Sequence, residues 1–174
     1  MKKTILLIMF AALFSGCMNA QTPSLSREAY INMMNSYLSS KNYDNLLECT
    51  REAVNAYPDF ALAHSITGLA HIEQVQYNQA IAALQKAVAI DPDFAEAYAI
   101  IGYAYHLLKE YNEAIRYYQK AIAIDPNYAE AYYNIGFACY NLGNYDETMR
   151  CLKKAAQLGL SQAQESLRAV GENW

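Results

Sequence analysis

Beyond residue 26 the chain alternates short apolar stripes with polar turns, and the stripes keep a helical rhythm. The pattern is clearest between residues 95 and 128. Tyr98, Ile101, Gly102 and Tyr105 fall on one face of a first helix, and Ala114, Ile115, Tyr118, Ala121 and Ile122 on one face of a second. The polar stretch Lys109-Glu110-Tyr111-Asn112 separates them, with Asn112 expected to cap the second helix. Two amphipathic helices joined by so short a turn predict an αα-hairpin. Asp125-Pro126 ends the second helix, because proline disfavours helical geometry in the residue before it. Asp93 with Glu96, and Asn127 with Glu130, have the offset of a capping box and are expected to start the helices that follow.

The same hairpin recurs. Tyr43, Tyr77, Tyr111 and Tyr145 stand 34 residues apart, and Ala53, Ala87, Ala121 and Ala155 keep the step. Pro58, Pro92 and Pro126 keep it too, as do Gly68, Gly102 and Gly136. A fixed period of this length means stacked two-helix units, each too small to bury its own apolar face. The units fall at 27–60, 61–94, 95–128 and 129–162. Gly102 and Ala114 are expected to let the two helix backbones approach closely, while Tyr111 covers the apolar end of the hairpin. The first unit is degenerate, with Met34 in place of the glycine and Leu46 in place of the alanine. The fourth ends without its proline, running Leu158-Gly159-Leu160-Ser161. Ser161, with Gln164 three residues on, is expected to open a capping helix that Gly171 closes, within a segment 162–174. There Ala163 and Leu167 would turn inward and Gln162, Glu165 and Arg168 outward.

The start of the chain has a different character. Lys2 and Lys3 precede an apolar run over residues 5–14 and the small pair Ser15-Gly16. The run is too short to span a bilayer as a helix, so residues 1–17 read as an export signal. Leu13-Phe14-Ser15-Gly16-Cys17 resembles the lipobox of bacterial lipoproteins, which implies cleavage before Cys17 and lipidation of that cysteine. Phe14 departs from the aliphatic residue usual there. Cleavage after Ala20 is the alternative. Residues 18–26 then form a tether, and the expected localisation is exported, membrane-anchored through lipid and facing the periplasm, with a soluble periplasmic or secreted protein as the alternative.

Removing Lys2 and Lys3 with the signal leaves 11 basic against 17 acidic side chains, a balance of about −6. No basic stripe marks a nucleic-acid footprint, so none is expected among the partners. Of the cysteines beyond the signal, Cys49 and Cys151 are equivalent positions three units apart, too distant to bond. Cys139 and Cys151 belong to one unit and are open to two readings, a disulfide or two buried thiols.

The residues of the third and fourth units resemble the tetratricopeptide repeat family. They are Ala97-Tyr98, Gly102, Tyr105, Tyr111, Ala114, Tyr118, Ala121 and Asp125-Pro126, then Ala129-Glu130-Ala131-Tyr132-Tyr133-Asn134-Ile135-Gly136, Gly143-Asn144-Tyr145-Asp146-Glu147 and Lys154-Ala155. In the second unit His64 and His71 stand where aromatics are usual. The resemblance covers residues 27–162 and implies an all-α fold, a right-handed α-α superhelical solenoid of four helix-turn-helix units plus the capping helix. It also implies that the first helices line a concave groove for a protein or peptide partner. By alignment that groove is lined by Ile66, Leu69, Ile100, Tyr103, His106, Tyr133, Asn134, Phe137 and Tyr140, with Asn32, Asn35, Ser65, Ile72 and Ala99 around them. A clamp for a C-terminal carboxylate would need lysines where Ile31, Ser65, Ala99 and Tyr133 stand. An amphipathic helix or apolar peptide is the expected occupant.

Catalysis is not expected, and neither is a cofactor or a metal. His64 and His71 have no carboxylate or cysteine at ligand spacing, and a His106–Cys139 thiol–imidazole pair would lack a third, orienting group. The function expected is therefore a non-catalytic interaction scaffold of the bacterial cell envelope. Two alternatives stand beside it, an accessory ligand-binding lipoprotein in nutrient uptake and self-association through the degenerate first unit.

Overall fold

A computed structural model describes residues 25–174. The expected signal, Cys17 and residues 18–24 of the expected tether lie outside the described residues. Among those described there are nine helices and no strand. Four pairs follow in order: α1 (Arg27–Ser39) with α2 (Tyr43–Ala56), α3 (Ala61–Glu73) with α4 (Tyr77–Ile90), α5 (Ala95–Leu107) with α6 (Tyr111–Ile124), and α7 (Ala129–Asn141) with α8 (Tyr145–Gln157). A last helix, α9 (Ser161–Ala169), follows them. No described helix is long and apolar enough to cross a membrane.

Each helix packs on the next in sequence, and the first helices of successive units also touch one another directly. The second helices stand further apart, so the stack is an α-solenoid whose first helices form its inner side. Each pair is held by a volume trade. Gly68, Gly102 and Gly136 lie against Leu84, Tyr118 and Leu152 of the partner helix, where a Cβ would meet side-chain atoms at 2.5, 2.9 and 3.3 Å respectively. At Gly102 the same Cβ would also stand 3.1 Å from the Ala114 carbonyl, the close backbone approach expected between those helices. In the first unit the trade is reversed: Met34 replaces the glycine and the smaller Thr50 stands in the partner position, both fully buried. The unit's degeneracy in sequence is thus compensated in volume.

The turns inside the four pairs share one geometry. The residue two beyond the first helix adopts positive φ, namely Lys41 (52°), Val75 (62°), Lys109 (64°) and Gly143 (76°). The two amides that follow the helix reach back to its last turn, as with Val75 N–H to Ile72 O at 2.9 Å and Gln76 N–H to His71 O at 2.8 Å. That is a Schellman closure, which satisfies carbonyls the helix would otherwise leave open. Gly159 (94°) and Gly171 (75°) close α8 and α9 in the same way.

Four expected caps are corrected. Asn112 is not a cap: it lies inside α6, with Glu110 at the cap position two residues earlier and no side-chain bond there. Asp93 and Asn127 do not form capping boxes, because Phe94 and Tyr128 occupy the cap positions of α5 and α7. The carboxylates of Asp91 and Asp125 instead accept from the amides of Asp93 (3.1 Å) and Asn127 (2.9 Å), turning the chain around each proline. Ser161 likewise lies inside α9 rather than capping it. Asparagine caps do occur, at Asn42 and Asn144.

The two ends of the stack differ. On α1 the exposed residues are polar, among them Arg27, Glu28, Asn32, Asn35 and Ser36, with Leu25 exposed just before it. At the other end α9 buries Ala163 and Leu167 against Leu152, Ala155 and Ala156, and leaves Gln162, Glu165 and Arg168 exposed. It is four residues shorter than the 13-residue first helices. Tyr140, Leu142 and Tyr145 remain 59 %, 45 % and 62 % exposed, whereas their counterparts in the third unit (His106, Leu108, Tyr111) are half-buried.

Candidate partner-binding groove

Helical spacing puts three stripes side by side on the inner face: Leu62, Ile66, Leu69 and Glu73 on α3; Glu96, Ile100 and Tyr103 on α5; Glu130, Asn134 and Phe137 on α7. Tyr103 and Phe137 stand at equivalent places, 44 % and 40 % exposed. Tyr133 packs edge-on to Phe137, ring centroids 4.8 Å apart, and Tyr140 does the same with Tyr145 at 5.7 Å. Leu69, Ile100, His106, Tyr133 and Asn134 are half-buried between these exposed rings.

Four expected lining residues are corrected. Ile66 is only 5 % exposed and belongs to the core that α1, α2 and α3 share with Met34, Leu46 and Phe60. Ser65, Ile72 and Ala99 are buried as well. The first unit leans over this part of α3, so the open part of the groove lies over α5 and α7. There an apolar recess of about 130 Å³ opens between Gly136, Phe137, Tyr140, Thr148 and Leu152. It exists because Leu152 fills less of the space over Gly136 than the Tyr118 ring fills over Gly102. The recess falls below the usual range of small-molecule sites, about 300–1,000 Å³, and suits a single apolar side chain. Sequence alignment missed Gly136 and Leu152 as groove residues, because the signal lies in pairing a small residue at one position with a partner 16 residues later.

Burial favours the neutral forms of the histidine and the thiol near the groove. Burial lowers the pKa of His106, whose ring packs edge-on to Tyr111 at 5.2 Å. Burial first, and Glu147 second, raise the thiol pKa of Cys139. A thiol–imidazole pair would show the opposite shifts, toward thiolate and imidazolium. The expected choice for Cys139 and Cys151 resolves as two free buried thiols. Cys151 directs its S–H to Glu147 Oε1 at 3.4 Å, and burial, then this bond, push its pKa up to about 12. Burial lowers the His64 pKa, with Lys86 adding to the effect, and His71 Nδ1 is bonded to Gln76 Oε1 at 2.7 Å. Among the described residues no three His, Cys, Asp or Glu side chains gather as a metal site.

One polar atom beneath the groove is unsatisfied. The Tyr118 hydroxyl is fully buried and has no hydrogen-bond partner among the described residues. Burial raises its pKa, and Tyr103 and then Tyr128 add to the rise. Tyr128 is itself pushed up to about 12 by burial and by the surrounding Glu96, Glu130 and Asp125.

Comparison with known proteins agrees with this architecture. The TPR repeat family matches residues 68–109 and again 102–143, and the Tetratricopeptide repeat family matches residues 129–158. A crystal structure of MamA is 30 % identical, covers 79 % of this chain and 80 % of its own, and superposes with a TM-score of 0.71. YrrB, described as a TPR protein with an unusual peptide-binding site, is 22 % identical over 79 % of this chain and 72 % of its own, TM-score 0.68. The first TPR of Spaghetti (RPAP3), bound to the HSP90 peptide SRMEEVD, is 22 % identical over 66 % of this chain and 94 % of its own, TM-score 0.64. A search of curated proteins found no match. With its period, its paired helices and a 30 % identical relative in agreement, the chain belongs to the tetratricopeptide repeat family.

Proposed function

We propose that this protein is a non-catalytic interaction scaffold that holds a partner peptide or helix in the groove over α5 and α7. The observation that carries the reading is the pair of exposed, equivalent rings Tyr103 and Phe137 beside an apolar recess. Aromatic rings give large contact area at low ordering cost, and exposed clusters of them on a concave face suit partner capture. Of the proteins that share the fold, YrrB has an unusual peptide-binding site and Spaghetti is bound to an HSP90 peptide. The clamp for a terminal carboxylate lacks its cations here, since Ile31, Ser65, Ala99 and Tyr133 occupy those places.

The same proposal sets the protein in a bacterial envelope, exported and anchored through a lipidated Cys17. Support for that part comes from residues 1–17 alone. Mass measurement of the mature N-terminus tests it: an acylated Cys17 is expected, and a chain starting at Gln21 would refute the anchor.

Photo-crosslinkers placed at Tyr103 and, for comparison, at Gln119 on the exposed side of α6 test the groove in intact cells. A discrete adduct from Tyr103 that Phe137→Ala removes is the expected result. Equal adducts from both positions would mean that the inner face is not the binding face. Both rings are over one-third exposed, so their replacement leaves the core intact.

A further inference from the structure

The cations of the second to fourth helix pairs all lie off the groove helices. The groove helices α3, α5 and α7 contain no lysine or arginine, and their only charged residues are Glu73, Glu96 and Glu130. The outer helices α4, α6 and α8 carry six cations, Lys86, Arg116, Lys120, Arg150, Lys153 and Lys154, beside three acids, Glu113, Asp146 and Glu147. Most of these are already engaged. Arg116 pairs with Glu113 at 2.6 Å and Arg150 with Glu147 at 2.5 Å, Lys153 pairs with Glu172 at 2.8 Å, and Lys120 lies over the rings of Tyr98 and Tyr117.

The groove glutamates are exposed and make no ion pair among the described residues. Glu96 and Glu130 each stand four and seven positions before groove residues, Ile100 and Tyr103 on α5, Asn134 and Phe137 on α7. Glu73 closes the α3 stripe at the opposite end and accepts the Tyr43 hydroxyl at 3.0 Å. The nearest cation past these helices, Lys109, lies in the turn after α5. A glutamate in the first turn of a helix also suits the helix dipole, which accounts for where Glu96 and Glu130 sit. It does not account for the absence of any cation from three whole helices. His106, kept neutral by burial, adds none at neutral pH.

We propose that the groove takes a basic, apolar polypeptide segment. Its apolar side chains cover Tyr103 and Phe137 and enter the recess beside Gly136, while its lysines or arginines face Glu96 and Glu130 at one end and Glu73 at the other. Cations passing over the tyrosine faces gain further attraction. Complementary charge of this kind sets partner choice and association rate more than raw affinity, and like charge excludes acidic competitors. The inference rests on the groove reading above and adds to it the chemistry of the occupant.

Three labelled helical peptides of about 14 residues, roughly 20 Å long, match the width of the three stripes. One alternates leucine and lysine at amphipathic spacing; the others carry glutamine or glutamate for lysine. The acidic SRMEEVD peptide is a fourth probe. Anisotropy titration of the purified protein is expected to rank lysine over glutamine over glutamate, with SRMEEVD weakest. Added salt should narrow the range. The double variant Glu96→Gln/Glu130→Gln should reduce the lysine peptide's advantage about fivefold, while Asp146→Asn on the outer helix α8 leaves it unchanged. Equal or tighter binding of the glutamate peptide, or an advantage untouched by the double variant, overturns the basic-segment inference. In that event the groove reading still stands if Phe137→Ala weakens every peptide. If Phe137→Ala and Tyr103→Ala change nothing, or no probe binds tighter than about 1 mM, both readings fail.

Discussion

Val75 holds a conformation that its side chain resists, and replacing it should stabilise the protein. It closes α3 with φ of 62°, the left-handed region, where a β-branched residue is a true outlier. Strain of this kind costs about 1–3 kcal/mol. The position is 68 % exposed, so removing the side chain forfeits only a small burial term, about 0.5 kcal/mol. Glycine would add about 0.4–1 kcal/mol of unfolded-chain entropy against the fold. The balance for Val75→Gly is a gain of about 1 kcal/mol, or roughly 2–4 °C in Tm for a chain of this size. Gly143 supplies the reciprocal test. It occupies the equivalent turn at φ 76°, and a Cβ there would meet nothing within 4 Å, so its replacement tests backbone strain without a clash. Gly143→Val should cost about 1–2 kcal/mol. Urea unfolding followed by far-UV circular dichroism measures both. Because repeat arrays can unfold in parts, amide exchange in α3 and α4 should localise the Val75 effect. A loss of stability in Val75→Gly together with a harmless Gly143→Val would refute the reasoning, since both depend on one shared turn geometry.

Three further outcomes are expected. Gly102→Ala should destabilise by about 1–3 kcal/mol, because its Cβ would press on the Tyr118 ring at 2.9 Å and on the Ala114 carbonyl at 3.1 Å. Gly136→Ala, with its nearest contacts at 3.3 Å, should cost clearly less in the same unfolding assay. Tyr118→Phe removes a buried hydroxyl that has no partner among the described residues and should raise stability by about 1 kcal/mol; a drop in Tm would show that the hydroxyl is satisfied. His64 and His106 have folded-state pKa values below their unfolded ones, so the unfolded chain takes up protons first. Their contribution is full above the unfolded value, about 6.5, and declines as pH falls below it. Differential scanning calorimetry between about pH 7.5 and 5.5 should record a falling Tm, with a shallower slope in His64→Gln/His106→Gln.

What the sequence determined by itself is the repeating scaffold. The 34-residue step, the small residues at Gly68, Gly102 and Gly136 and the prolines after α2, α4 and α6 impose paired helices, because each choice acts over a few neighbouring residues. Tertiary structure decided how the helices start. Phe94 and Tyr128 take the cap positions, and Asp91 and Asp125 spend their carboxylates on the prolyl turns, which an offset between two residues cannot reveal. It also decided which aligned groove residues are open. Ile66 and Phe137 belong to equivalent stripes of the repeat, yet Ile66 lies beneath the first unit and Phe137 stands clear beside a recess left by Leu152. The glutamates of α3, α5 and α7 and the cations of α4, α6 and α8 are all legible in the chain, but only stacking brings the three cation-free helices together on one side. A periodic sequence dictates local structure through short-range rules; exposure depends on which units lie on either side, and that differs along a finite stack.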